Sequence, residues 1–297
     1  MIALMQRGIL LTLVMAAVAW LGWTLGSGHG SWAWLGLILL TGGHALALAI
    51  EFGWMHAVNG RDSAPRARSG QVLIAWLGEC SHAPRVFCWR QPFRARRYAD
   101  MLSEESSRRG VVLVHGFFCN RGLWNRWLAR LHTDGTPTIA LNLEPPFGSI
   151  DDYAPEIGRA VAVLTQRTGK APVVVAHSMG GLALRHWWNG EGNMRRIHHA
   201  ITLGTPHHGT RVAILATSVN GRQMRPDSAW LAELRAADRP DRAARMTCFY
   251  SHCDNIVFPA SSATLPGALN RHLAATAHVA MVDHSEPWAE LQLRLKT

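Results

Sequence analysis

Two apolar blocks, residues 9–25 and 32–52, open the chain, and no Asp, Glu, Lys or Arg occurs from Gly8 to Ile50. Each block approaches the ~20 residues that a helix needs to cross a bilayer. The small-residue break Gly26-Ser27-Gly28-His29-Gly30 separates them. The pattern predicts a helical transmembrane hairpin over residues 1–58, with Trp20, Trp23, Trp32 and Trp34 forming an interfacial aromatic belt near its turn. Residues 59–109 change character: a polar Arg/Pro/Ser linker over 61–70, an amphipathic or interfacial segment from Val72 to Gly78, and the strand-like alternation RVFCWR from Arg85 to Arg90. From Gly110 onward, apolar runs alternate with helical stretches. Strands are predicted at VVLVH (111–115), TIALNL (138–143), VVVA (173–176) and AITLG (200–204), and helices at 122–131, 153–168 and from Gly180. Short β-branched runs joined by helices mark strands buried on both faces, so residues 110–297 read as an α/β domain with a mostly parallel, doubly wound sheet. Ligands of such sheets sit beyond the carboxyl ends of the strands.

Composition refines this picture. With 48% hydrophobic and only 17% charged residues among 297, the chain is not a disordered tail. The formal charge of +10 comes almost wholly from Arg, because Lys occurs only at Lys170 and Lys296. The Arg clusters (94, 96 and 97; 108 and 109; 195 and 196) lack aromatic interleaving, so no nucleic-acid partner is expected and an anionic membrane surface is the better use of the charge. Arg7 precedes the first span, Arg61, Arg66 and Arg68 follow the second, and the turn carries no Lys or Arg. That bias predicts a multi-pass protein of a bacterial-type inner (cytoplasmic) membrane, with its folded body on the cytoplasmic side. A cleaved leader, read from Arg7 and Ala17-Val18-Ala19, would leave the second block unexplained. Glu51 reads as an ordinary end-of-helix group and His44 as a turn-facing one, in preference to intramembrane functional groups. Five cysteines without a CxxC pair argue against a disulfide framework.

The candidate chemistry begins at Ala176-His177-Ser178-Met179-Gly180-Gly181, directly after the VVVA run. Small residues two before and two after a Ser permit a tight strand-to-helix turn that lifts the hydroxyl out and aims helix N-terminal NH groups at a developing oxyanion. A Ser between strand and helix is also a common helix cap, so the motif alone leaves both readings open. The paired histidines 198–199 and 207–208, with His252, Cys248 and Cys253, show no metal-ligand spacing, and no glycine-rich phosphate loop follows a strand. Neither a metal nor a cofactor is expected, and no obligate protein partner is evident.

Together, Val114-His115-Gly116-Phe117, the segment around Ser178, and Leu203-Gly204-Thr205-Pro206-His207-His208-Gly209-Thr210 resemble bacterial lipases of the α/β-hydrolase superfamily over roughly residues 110–283. Ala176 stands where the usual nucleophile turn has Gly, and Ala277 where the base loop has one. The resemblance implies an α/β-hydrolase fold and a serine hydrolase acting on lipid-like or other hydrophobic carboxylic esters. It gives Ser178 as nucleophile and the backbone NH groups of Phe117 and Met179 as oxyanion hole. His115 would organise the loop. Asp254 would be the acid, ahead of Asp227, Asp238 and Asp283, and His278 the base, ahead of His284. Residues 211–245 read either as a small lid, with Met224, Trp230 and Leu234 toward the site, or as an ordinary connecting helix. An acyltransferase using the same residues, or a non-catalytic membrane scaffold, are the alternatives.

Overall fold

The computed structural model describes residues 1–102, 108–191 and 193–297. Helix α1 (Ile2–Gly26) and helix α2 (Gly30–Asn59) lead the chain. The first is long and apolar enough to cross a membrane, and it is almost wholly uncovered by the rest of the protein. Gly30–Leu39 and Gly42–Asn59 of α2 meet at 43°, with the Gly42-Gly43 pair opening the second segment, where missing side chains weaken the helix. Near the turn, Trp20 Nε1 donates to the carbonyl of Trp32 at 3.0 Å, and its ring lies where a Cβ on Gly36 would be.

Helix α3 (Ser69–Pro84) runs into a wide helical turn over Arg85–Arg90 and the short α4 (Gln91–Arg94). RVFCWR is therefore helical, and the expected edge strand is corrected. Six alternating residues are too few to outweigh continuation of the preceding helix, which buries Val86 against the sheet's core.

The body is a six-stranded, all-parallel sheet in the order β2-β1-β3-β4-β5-β6. Its elements follow in sequence: β1 (Val111–Val114), α5 (Asn125–Thr133), β2 (Thr138–Ala140), α6 (Ala154–Thr168), β3 (Val173–His177) and α7 (Met179–Gly190). Then come β4 (His199–Leu203), α8 (Val219–Gln223), α9 (Ala229–Ala236), α10 (Pro240–Ala243), β5 (Met246–Tyr250), β6 (Leu269–His272) and α11 (Ser285–Lys296). The α/β-hydrolase arrangement expected from the motifs is the arrangement present.

Side chains alternate across each strand. Val112, Val114, Val174 and Ala200 pack under α6 and α7, whereas Leu113, Val173, Val175, Ile201 and Phe249 pack under α5 and α11. A third, smaller core lies at the carboxyl end of the sheet. There Leu48, Phe52 and Met55 of α2 and Ala75 of α3 meet Cys253, Phe258 and Ala277 from the loops after β5 and β6. The N-terminal helices thus pack directly on the loops that carry the candidate acid and base.

Candidate active site

Ser178 sits between the last residue of β3 and the first of α7, with φ 55° and ψ −130°. A non-glycine residue pays of order 1–3 kcal/mol for such a backbone, and strain of this kind concentrates at functional turns. Close packing enforces it: a Cβ on Gly116 would lie 2.7 Å from Ser178 Cβ. The loop after β1 can therefore approach the serine only because residue 116 has no side chain. Phe117 is half-buried and Met179 is buried, on the two segments that meet at this point. Ala176 is fully buried in the core, so its methyl group is absorbed by packing.

Asp254 follows β5 in a turn that uses both of its oxygens. Oδ1 accepts the NH groups of Ile256 and Val257 at 2.9 and 2.7 Å, and Oδ2 lies 2.9 Å from His278 Nδ1. The Asx turn and the acid position coincide in one side chain. Because Nδ1 donates to the carboxylate, the lone pair of neutral His278 is on Nε2, as a general base requires. Gly204, at the end of β4 with φ 53°, lies against this pair; a Cβ there would be 2.9 Å from Asp254 Oδ2 and 3.0 Å from His278 Nδ1.

Electrostatics around the imidazole are unusual. His278 is buried, which disfavours its charged form, yet Asp254, Glu79 and Glu51 outweigh that and raise its pKa above 6.5. His177 packs beside it at a ring separation of 4.6 Å, and His177 Nε2 donates to the His278 carbonyl at 3.2 Å. Burial first, and then the neighbouring His278, push His177 well below the ordinary histidine range. His115 is neutral as well, pushed down to about 4 by burial. Its Nδ1 donates to the Gly116 carbonyl at 2.9 Å and its Nε2 accepts from the NH of Leu143 at 3.0 Å, so it ties the loop after β1 to the segment after β2.

The competing residues lie elsewhere. Asp227 is exposed, Asp238 pairs with Arg185, and Asp283 pairs with Arg90 and Arg126. His284 Nδ1 accepts from the NH of Glu286 and caps α11. Among the described residues no group of three or more His, Cys, Asp or Glu side chains is placed to hold a metal ion. Buried His207 has Nε2 3.2 Å from Thr202 Oγ1 and 3.5 Å from Cys248 Sγ. In the stretch 211–245, Trp230 donates to Asp151 at 2.7 Å. Trp230 and Leu234 face a cavity of about 810 Å³ along α6, α7 and α9, which none of Ser178, Asp254 and His278 lines.

Three features are missed by the reading of the sequence, although Glu51 is weighed there as an intramembrane polar group. Glu79 of α3 is 1% exposed and accepts the NH groups of Val279 and Ala280 at 3.0 and 3.2 Å. Glu51 of α2 accepts from Asn255 Nδ2 at 2.8 Å, and Asn255 Oδ1 in turn accepts the NH of His278 at 3.3 Å. Gln6 of α1 donates to the Phe118 carbonyl at 3.3 Å, one residue past Phe117.

A parallel sheet flanked by helices on both faces has the architecture of the α/β-hydrolase class, and the candidate residues lie on the loops beyond its third, fifth and sixth strands. The chain belongs to the alpha/beta hydrolase family, whose model matches residues 111–294. Among solved structures it is similar to the mature form of the lipase BlEst2 from Bacillus licheniformis, with 17% identity, 64% of this chain and 93% of that one covered, and a TM-score of 0.56. It is also similar to lipase B from Aspergillus fumigatus, with 18% identity, 67% and 59% covered, and a TM-score of 0.55. The ydeN gene product from B. subtilis matches at 15% identity, 64% and 100% covered, with a TM-score of 0.50. At these identities the likeness is one of fold. No curated protein matches the chain by sequence.

Proposed function

We propose that the chain is a membrane-tethered serine hydrolase that cleaves carboxylic esters of lipid-like substrates through Ser178, His278 and Asp254. The reading is carried above all by the 2.9 Å contact between His278 Nδ1 and Asp254 Oδ2, formed at the same end of the sheet as the strained Ser178 turn. His278 Nε2 takes the hydroxyl proton as Ser178 Oγ attacks the ester carbonyl carbon, and the carbonyl π pair moves onto oxygen. The NH groups of Phe117 and Met179 receive that oxyanion, each such donor being worth about 3 kcal/mol of barrier. His278 then gives the proton to the departing alkoxide, and water repeats the sequence to release the acid. Asp254 holds the imidazole in its tautomer and stabilises the imidazolium.

The lipid-like substrate is supported by the apolar surface of the N-terminal helices that pack on the site loops. In α1 and α2, Leu11, Leu13, Val18, Ile38 and Ile50 are exposed, and Leu73, Ile74 and Leu77 of α3 continue the same character. We read residues 1–58 as a two-span anchor with the catalytic body, 110–297, on the cytoplasmic side. A fluorophosphonate probe should label the wild type and leave Ser178→Ala unlabelled. A topology reporter at the C-terminus checks the side; periplasmic activity of the reporter would overturn it.

A further inference from the structure

We propose that helices α2 and α3 form part of the catalytic centre, with Glu79 and, through Asn255, Glu51 as positioning residues for the base His278. The inference rests on the role proposed above for Ser178 and His278. The loop carrying the base is held from outside the sheet at three successive backbone NH groups. That of His278 goes to Asn255 Oδ1 at 3.3 Å, and those of Val279 and Ala280 go to the Glu79 carboxylate at 3.0 and 3.2 Å. Asn255 is itself anchored by Glu51 at 2.8 Å. Neither glutamate belongs to the hydrolase sheet, and Glu79 lies about two hundred residues from its partners along the chain.

Further contacts make the attachment rigid. Asn59 donates to the His252 carbonyl and accepts from the NH of Ala260, both at 3.0 Å, and so brackets the loop that bears Asp254. Asp62 accepts the NH and the hydroxyl of Ser261. Trp54 packs edge-on against Phe258 with ring centres 5.2 Å apart. Purely structural fastening would be served by neutral side chains, because ionised carboxylates are costly to bury without a cation. The ionisable groups facing Glu79 are His278 and Asp254 from the loops and the neighbouring Cys80 on its own helix. Among the described residues, the cation placed for it to stabilise is the imidazolium that forms as Ser178 loses its proton. Glu79 thus acts behind Asp254 as a second carboxylate, with burial holding its own titration near 7.

The test is a pH profile of ester hydrolysis by the full-length protein in detergent, with fluorophosphonate labelling run in parallel. Glu79→Gln keeps an acceptor and removes the charge. Removing a carboxylate from beside His278 lowers the imidazole's pKa, so the acid limb of kcat should move to lower pH by about half a unit or more. Plateau kcat should fall about three- to tenfold with KM little changed. Glu51→Ala should lower kcat about tenfold, and Glu51→Gln should restore it, because an amide oxygen still accepts from Asn255. An unchanged acid limb in Glu79→Gln, or loss in Glu51→Ala that Glu51→Gln does not rescue, would overturn the positioning role. Should Glu79→Gln not fold, the Glu51 pair decides. Absence of labelling in the wild type would instead strike the assignment of Ser178, so the two failures are distinct.

Discussion

Replacing Glu79 with glutamine should stabilise the protein at pH 8 and leave it almost unchanged at pH 5. Burial raises this carboxyl from 4.5 to about 7. An acid whose pKa is higher folded than unfolded binds its proton more tightly in the native state, so stability is full below the unfolded value and declines as pH rises toward the folded one. The window is therefore pH 4.5 to 7, and above it the ionised side chain costs about 3 kcal/mol. Glutamine carries no such cost. It does offer only one oxygen to the two NH groups that Glu79 receives, a loss of about 1 kcal/mol. The balance is a gain of about 2 kcal/mol at pH 8 and about zero at pH 5, where the wild type has already given up most of about 1 kcal/mol. For a domain of this size each kcal/mol moves Tm by about 2–4 °C. Thermal unfolding of the purified protein in detergent at pH 5, 6, 7 and 8 reads this directly. A shift of the same sign and size at pH 5 and pH 8 would refute the claim that a buried, ionisable Glu79 is tolerated at a cost in stability.

Other consequences follow from the same contacts. Wild-type kcat should drop as pH falls through a value above 6.5, because the raised pKa of His278 means that the neutral base is lost early; a limb centred below pH 6 would contradict this. Asp254→Asn should cost about 10⁴ in kcat while leaving the fold intact by circular dichroism, since the imidazole loses the partner that fixes its tautomer. Gly204→Ala would push a methyl to 2.9 Å from Asp254 Oδ2 in a backbone at φ 53°, and kcat should fall about a hundredfold with KM preserved. Buried Arg185 holds Asp238 and the His207 carbonyl; Arg185→Ala should cost about 3 kcal/mol in urea unfolding.

Strands β1 to β4 were legible because they are largely apolar runs, whereas β6, Leu269–His272, is polar and exposed to half-buried. Val111–Val114, Val173–His177 and His199–Leu203 are buried along their whole length, and a strand hidden on both faces carries no competing polar signal. Ser178 stood out because it follows such a run, and Asp254 and His278 came from the lipase-like resemblance, with the chain order of nucleophile, acid and base as a further constraint. The attachment of the N-terminal helices could not be read in the same way. Glu79 is one acid in a short amphipathic helix, and its partners are fixed only when β6 and the loop after it are in place. Glu51 looked like a helix-end residue, since nothing local ties it to Asn255. RVFCWR misled through its alternation, which the sequence shares with a strand although α3 carries straight into it.

The account stands or falls on the chemical identity of residue 178. The full-length protein, treated with a fluorophosphonate and digested, should yield a single modified peptide bearing the phosphonyl group on Ser178, and labelling should fade in His278→Ala and vanish in Ser178→Ala. Modification at another serine, or ester turnover undiminished in Ser178→Ala, would contradict it.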